Sequence, residues 1–231
     1  MKSIIVTGAS SGIGRATAEL FLREGWRVGL IARRAALLHD IAENHEGAVA
    51  LPADVTDADA MAEVFAGFGH LDVLFNNAGV FGPAKPIDEV DLAEWQNVLS
   101  VNLSGMFIAA RLAFGQMRKQ GGGRIINNGS LSAHVPRENS VCYTTTKHAI
   151  TGLTRSLSLD GRPYGIACGQ IDIGNAESEL VAALKERQPE TPTMNVEHAA
   201  SSVLHMASLP PEANVQFMTV MATKMPFIGR G

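Results

Sequence analysis

The chain is 231 residues long, 46% hydrophobic and 18% charged, a balance that fits one globular domain over 1–231 and excludes a disordered, collagen-like or coiled-coil protein. Its net charge of −4 offers no broad attraction to nucleic acid or to an anionic membrane surface, so any basic site is local. Two cysteines, Cys142 and Cys168, are too few for a disulfide scaffold and lack metal-site spacing, and no apolar run approaches the roughly 18 residues of a membrane span or forms a signal-peptide core; a cytoplasmic protein with no metal is expected.

In chain order, short apolar runs rich in β-branched residues alternate with longer segments of helical period. SIIV, at residue 3, precedes a helix over 13–24; RVGLI precedes 35–45, AVALP precedes 57–66, and LDVLF precedes a long helix over 91–119. RIIN leads to a helix over 142–160, GIACGQI to helical stretches near 177–187 and 196–208, and VQFMTV supplies a last strand. About seven strands in this alternation imply an α/β fold, a doubly wound parallel sheet of Rossmann-like form with helices on both faces. KERQPETPTMNV, at 185–196, is the one loop with a linker-like density of proline and polar residues, and it reads as a short mobile flap.

Directly after the first strand, TGASSGIGRATAEL sets Gly8, Gly12 and Gly14, with Ser10, Ser11 and Ile13 between them, at a strand-to-helix turn. Such a turn lets a pyrophosphate approach bare backbone and meet the open N–H groups of a helix start, although the spacing is GxxxGxG and a tight turn without ligand is the plain alternative. An acidic residue at the end of the second strand would hold an NAD ribose hydroxyl, whereas an arginine suits a 2′-phosphate. Here that position reads Ala32, Arg33, Arg34, so NADP is favoured, NAD stays possible, and two solvated arginines opening a helix are the alternative. Arg15 could extend the phosphate site.

Tyr143 and Lys147 lie four residues apart, on one face of the predicted helix over 142–160. With TGASSGIG at 7–14, NNAG at 76–79 and GRIINNGS ending at Ser130, they form an ordered set by which the chain resembles the one-domain branch of the short-chain dehydrogenase/reductase family nearly end to end. The resemblance implies that Asp54 and Val55, in ADVTD, meet the adenine, and that residues 76–79, chiefly Asn77, Ala78 and Gly79, close around the adenosine. It makes Asn102 the catalytic asparagine and Ser130, thirteen residues before Tyr143, the catalytic serine; Ser132 is less well spaced. Gly174, Ala176 and Ser178 fall where the family binds the nicotinamide side, but GIACGQIDIGNAES departs from its pattern, with Gly169 for an asparagine and Ile173-Gly174 for Pro-Gly. Assembly as a homotetramer or homodimer through 91–119 and 142–160 is implied in the same way.

The chemistry so implied is hydride transfer between nicotinamide and a carbonyl or secondary alcohol. Tyr143 is the acid/base, its phenol brought down from an ordinary pKa near 10 by the Lys147 ammonium. Ser130 donates to the reacting oxygen, Lys147 also bonds the nicotinamide ribose, and Asn102 holds a relay water. Each has a plainer alternative: Tyr143 as a core residue, Ser130 as a turn cap, Asn102 as a polar side chain facing a neighbour. Cys142 reads as a small buried residue, His134 as pocket wall and His148 as helix surface. The walls expected at 131–137, 80–85 and 175–194 are mostly apolar with no charge clearly aimed inward, so a small to medium neutral alcohol or ketone is expected as substrate. A non-catalytic dinucleotide sensor or scaffold of the same fold is the alternative function.

Overall fold

The computed structural model describes residues 1–178, 181 and 190–228. Strands β1 Ser3–Thr7, β2 Arg27–Ala32, β3 Ala48–Pro52, β4 Val73–Asn76, β5 Gly123–Asn128, β6 Ile166–Ile173 and β7 Phe217–Val220 form one sheet in the order β3-β2-β1-β4-β5-β6-β7. Every neighbouring pair is parallel. Parallel neighbours need long crossovers, and helices supply them: α1 Gly12–Arg23, α2 Ala35–Asn44, α3 Ala58–Phe68, α4 Leu92–Leu99, α5 Met106–Gln120, α6 Val141–Gly161 and α7 Val196–Ser208. The order turns back between β1 and β4, which opens a crevice beyond their C-terminal ends, where open α/β sheets bind ligands.

The central strands are buried on both faces, which is why they read as unbroken apolar runs. Ile4 and Val6 pack with Phe21, Leu30, Leu38, Val203 and Met206, under α1, α2 and α7. Ile5, Ile31, Leu74 and Ile125 point the other way, onto Phe65, Phe68, Ala113 and Met117 of α3 and α5. The alternation of Ile4, Ile5 and Val6 between the two cores follows from the two-residue period of a strand.

Two expectations change. The long helix over 91–119 is interrupted by a π-helical turn at Ser100–Gly105, which carries Asn102. Leu92–Gln120 also forms the one described helical run long and apolar enough to cross a membrane by length and composition. Counting unbroken apolar residues misses it, because scattered polar residues interrupt the run without lowering its average much. Here Val98, Met106, Ala109, Ala113 and Met117 bury its inner face, so it is a core helix. The expected helix near 177–187 lies largely outside the described residues; of those described, Glu177 and Ser178 are not helical and Val181 is. Of the expected flap at 185–196, residues 185–189 lie outside them too, and its return is anchored where Met194 N donates to Asn175 O at 2.9 Å and Glu177 N to Met194 O at 2.8 Å.

Candidate active site

The crevice holds a cavity of about 520 Å³ that runs from the glycine turn to Tyr143. At its near end Gly8 takes φ +70°, a left-handed conformation that L side chains resist, and a Cβ there would meet Ala78 Cα at 3.0 Å. Gly14 allows equally close packing, since its Cβ would lie 2.7 Å from Asn77 Nδ2 and overlap the Gly8 carbonyl. Ser11 caps α1 without a side-chain hydrogen bond, so the first N–H groups of that helix stay open to the cavity. Ser10, Ser11, Gly12 and Ile13 line it, and Ser178 lies over Gly12.

The cavity is basic beside the turn. Arg34 Nε donates to Ser10 Oγ at 3.1 Å and Nη2 to Ser11 Oγ at 2.6 Å, which fixes its guanidinium beside the turn. Arg33 lies 4.0 Å from Asp54 in an exposed pair. Burial alone would raise the Asp54 carboxyl, but bonds from Thr56 N and Oγ1 and the Arg33 charge hold it below its ordinary value. Both arginines, Asp54 and Val55 line the cavity. Arg15 does not: its Nε bonds Glu19 at 2.7 Å and Nη2 lies 3.8 Å from Asp40, so an acidic neighbour one helical turn away claims the charge expected at the phosphate site.

Asn77, Ala78 and Gly79 line the cavity, but Asn76 lies beneath it. Asn76 Nδ2 donates to Met106 O at 2.7 Å, tying β4 to α5, because it is the last inward-facing residue of the strand. The NAG backbone is fastened instead by the Thr7 hydroxyl, which accepts from Asn77 N at 2.8 Å and Ala78 N at 3.0 Å.

Tyr143, Ser130 and Lys147 meet at the other end of the cavity. The Ser130 side chain acts to lower the Tyr143 phenol and accepts from Ser132 N at 3.1 Å. Lys147 Nζ donates to Asn128 O at 2.7 Å and sits 5.5 Å from the centroid of the Tyr143 ring. Burial depresses the Lys147 ammonium to about 8, against the pull of Asp172. The expected lowering of the phenol by Lys147 is not found. Burial raises Tyr143 above its ordinary value; Ser130 and Arg137 oppose that rise and Asp172 adds to it.

Asn102 is buried below this group. Its Oδ1 accepts from Val80 N at 2.8 Å while Nδ2 donates to Val80 O at 2.8 Å and to Thr146 Oγ1 at 3.3 Å. The side chain is therefore engaged by the loop after Gly79 and by Thr146. Gly174, Ala176 and Ser178 border the cavity, with Gly174 closed in by Met221, whose Cβ would lie 2.5 Å from a Cβ there.

Two residues escaped the sequence reading. Arg137 lines the cavity beside Tyr143, its Cζ 6.0 Å from the Phe81 ring that meets Tyr143 edge-on at 4.9 Å, so a charge does face inward. No hydrogen-bond or ion-pair partner for that guanidinium is found among the described residues. Asp172, at the end of β6, is fully buried and accepts from Ser130 N at 3.0 Å, Gln170 Nε2 at 2.7 Å and His134 Nε2 at 2.7 Å. His134 is thereby turned from the expected pocket wall toward a carboxylate. The visible signal was the pair of polar residues, Gln170 and Asp172, inside an otherwise apolar strand. Cys142 is buried and His148 lies on the helix surface, bonded to Thr144 O. Among the described residues no group of three or more His, Cys, Asp or Glu could hold a metal.

A family model described as short chain dehydrogenase matches residues 2–189. The chain is 33% identical over 227 residues to cis-4-hydroxycyclohexanecarboxylate dehydrogenase of Sinomonas cyclohexanicum, covering 88% of each chain. It is 29% identical to serine 3-dehydrogenase of Agrobacterium fabrum (strain C58 / ATCC 33970), over 98% of this chain and 96% of that one. The solved closed form of a serine dehydrogenase complexed with NADP+ superposes with a TM-score of 0.93 over 99% of this chain and 98% of that one, at 21% identity, a likeness of fold.

Proposed function

This chain belongs to the short-chain dehydrogenase/reductase family, whose members are NAD(P)-dependent oxidoreductases of alcohol and carbonyl groups, and from that premise we propose that it is NADP-preferring and acts on a small to medium substrate. The observation that carries this is the meeting of Tyr143, Ser130 and Lys147 in the same cleft as the glycine turn and Arg34. The residues fit a dinucleotide: bare glycine backbone and open helix N–H groups suit the pyrophosphate, and Arg34, held by Ser10 and Ser11, suits a 2′-phosphate. Asp54, Val55, Asn77, Ala78 and Gly79 border the adenosine side, and Gly174, Ala176 and Ser178 the nicotinamide side. When bound, the dinucleotide supplies or takes the hydride.

Tyr143 gives its phenolic proton to the substrate oxygen in reduction and removes the hydroxyl proton in oxidation. Ser130 O–H donates to that oxygen as charge develops on it. Lys147 bonds the nicotinamide ribose and holds a positive charge near the phenol. The relay water falls to the Asn102 main-chain carbonyl, where the π-turn loosens the helical ladder, since its side chain is held by Val80. Cytoplasmic residence and assembly as a homodimer or homotetramer belong to the same reading; apolar Phe107 on α5 and Leu159 on α6, 53% and 60% exposed, support the assembly.

A neutral substrate matches most of the cavity wall. A second reading, a substrate bearing a carboxylate, is favoured by Arg137, whose planar guanidinium matches a carboxylate in a two-bonded fork. Two of the relatives are named for carboxylate-bearing compounds, a hydroxycyclohexanecarboxylate and serine. The test follows NADPH oxidation over a panel of ketones, each offered as acid and as methyl ester, with Tyr143→Phe and Arg137→Gln. Tyr143→Phe is expected to abolish turnover while NADPH still binds; firm NADPH binding without turnover on the whole panel would mean a sensor. Arg137→Gln is expected to raise KM for the acids alone, and equal effects on acid and ester return the neutral reading.

A further inference from the structure

We propose that Asp172 is a positioning residue of the catalytic centre, a buried carboxylate that seats Ser130 and holds the strand end to which Lys147 is tied. The proposal rests on the reading of Tyr143 as acid/base and Lys147 as its partner, and goes beyond it.

The geometry begins with β5 and β6, which pair in parallel so that Asn128 lies opposite Ile171 and the chain leaves β5 at Gly129 directly beside Asp172. Gly129 N donates to Ile171 O at 2.8 Å, and no side chain fits at Gly129, because a Cβ would overlap Asp172 Oδ1. The carboxylate then takes the next N–H, that of Ser130, at 3.0 Å. Lys147 is tied to the same short stretch through Asn128 O at 2.7 Å. One buried carboxylate thus fixes the backbone from which both the serine and the lysine contact originate.

Among the described residues it is the carboxylate that acts on both Tyr143 and Lys147. Arg137, from the segment after β5, and Asp172, from β6, act on Tyr143; Asp172 acts on Lys147, which lies 5.5 Å from the Tyr143 ring, and His134 touches Asp172. Arg33, Arg34 and Asp54 stand at the opposite end of the cavity, by the glycine turn. A fully buried carboxylate is screened little by solvent, so its charge reaches neighbours that a surface charge would not. The sign is the same for both: a nearby negative charge favours the protonated phenol and the protonated amine, and Asp172 acts upward on each. Gln170 and His134 satisfy its remaining lone pairs, which is what a buried carboxylate requires.

Asp172→Asn tests this. The amide is the same shape, and its oxygen can still accept from Ser130 N and Gln170. The pH dependence of kcat/KM for ketone reduction is measured in the wild type, Asp172→Asn, Asp172→Ser and His134→Ala, with NADPH affinity and melting temperature alongside. Loss of the charge makes both Tyr143 and Lys147 release their protons sooner. The basic limb is therefore expected to move to lower pH by about one unit, with NADPH affinity kept. Asp172→Ser, smaller and also neutral, is expected to move it the same way and serves if Asn does not fold. His134→Ala removes a donor and leaves the charge, so its limb is expected at or above the wild-type position. A folded Asp172→Asn with an unmoved limb overturns the proposal. So does an equal acid shift in His134→Ala, which would trace the effect to a loosened loop. Tyr143→Phe, run in the same assay, separates the two readings: full activity there overturns the acid/base assignment, whereas an inactive Tyr143→Phe beside an unmoved Asp172→Asn overturns this inference alone.

Discussion

Replacing Arg34 with alanine separates NADPH from NADH. The guanidinium is anchored to Ser10 Oγ at 3.1 Å and Ser11 Oγ at 2.6 Å, so it is already oriented toward the turn without a ligand and loses little further freedom on binding. Its neighbour Arg33 leans toward Asp54 at 4.0 Å and has less charge to offer. Hydrogen bonds to charged groups contribute about 1.5–3 kcal/mol each, and Arg34 is exposed, so one such bond is a fair total after screening. At about 1.4 kcal/mol per tenfold, Arg34→Ala weakens NADPH roughly 10- to 100-fold. NADH, without the 2′-phosphate, loses only what the turn loses when Ser10 and Ser11 lose their tether. Calorimetric or fluorescence titration with each nucleotide, at low and high salt, measures both losses, and the NADPH loss shrinks as salt rises. Equal weakening of the two nucleotides, or a wild type that binds NADH as tightly as NADPH, refutes the assignment.

Other outcomes follow from the same coordinates. Asn102→Ala strands the N–H and C=O of Val80, each now bonded at 2.8 Å, and is expected to destabilise the protein by about 2 kcal/mol; Asn102→Asp keeps the accepting half but sets a buried carboxylate oxygen against Val80 O and is expected to cost at least as much, as urea titration will register. For Asp72, burial pushes the carboxyl up, but bonds from Ser3 Oγ and N and from His70 outweigh it and hold the pKa below 3.8. A depressed carboxylate stabilises the fold above its unfolded pKa and loses that contribution as pH falls through the folded one. Asp72→Asn should therefore lower the urea midpoint at pH 7, and its effect should shrink as the pH falls below the ordinary carboxylate range; an equal loss at neutral and low pH would mean that charge is not the cause. Ketone reduction should fall as pH rises past about 8, where Lys147 sheds its proton, and a flat profile through that range would contradict the depressed ammonium.

Much of the fold was legible because its signals are local. β1, α1 and β2 announce themselves by a β-branched run, a glycine turn and a second run, and the parallel sheet follows from repetition of that unit. The residues around the cleft were legible because they come as short fixed-spacing strings: the glycine turn, NNAG, Ser130 and Tyr143 with Lys147. What stayed hidden depends on partners distant in sequence. Glu19, one turn from Arg15, was there to be read, whereas whether Asn102 is held by Val80 and whether His134 faces the cleft or Asp172 are choices between partners that only the folded chain brings within reach. The π-turn is of the same kind. Nothing in SVNLSG breaks a helix, but Asn102 reaches Val80, and Gly105 packs where a Cβ would come within 2.8 Å of Val55.

The phenol illustrates why spacing alone misleads about electrostatics. A tyrosine and a lysine on adjacent turns suggest a lowered phenol, yet desolvation acts on both and pushes each toward its neutral form, Tyr143 up and Lys147 down to about 8. Ser130 and Arg137 pull the phenol back, and Asp172 resists them while supporting the lysine. At neutral pH this balance leaves Tyr143 holding its proton and Lys147 charged, which is the pairing a proton donor needs. On the proposed reading, this state suits carbonyl reduction. Oxidation asks Tyr143 to give up its proton first, so it should gain relative to reduction as pH rises, the two directions sharing one residue and differing in which protonation state they consume.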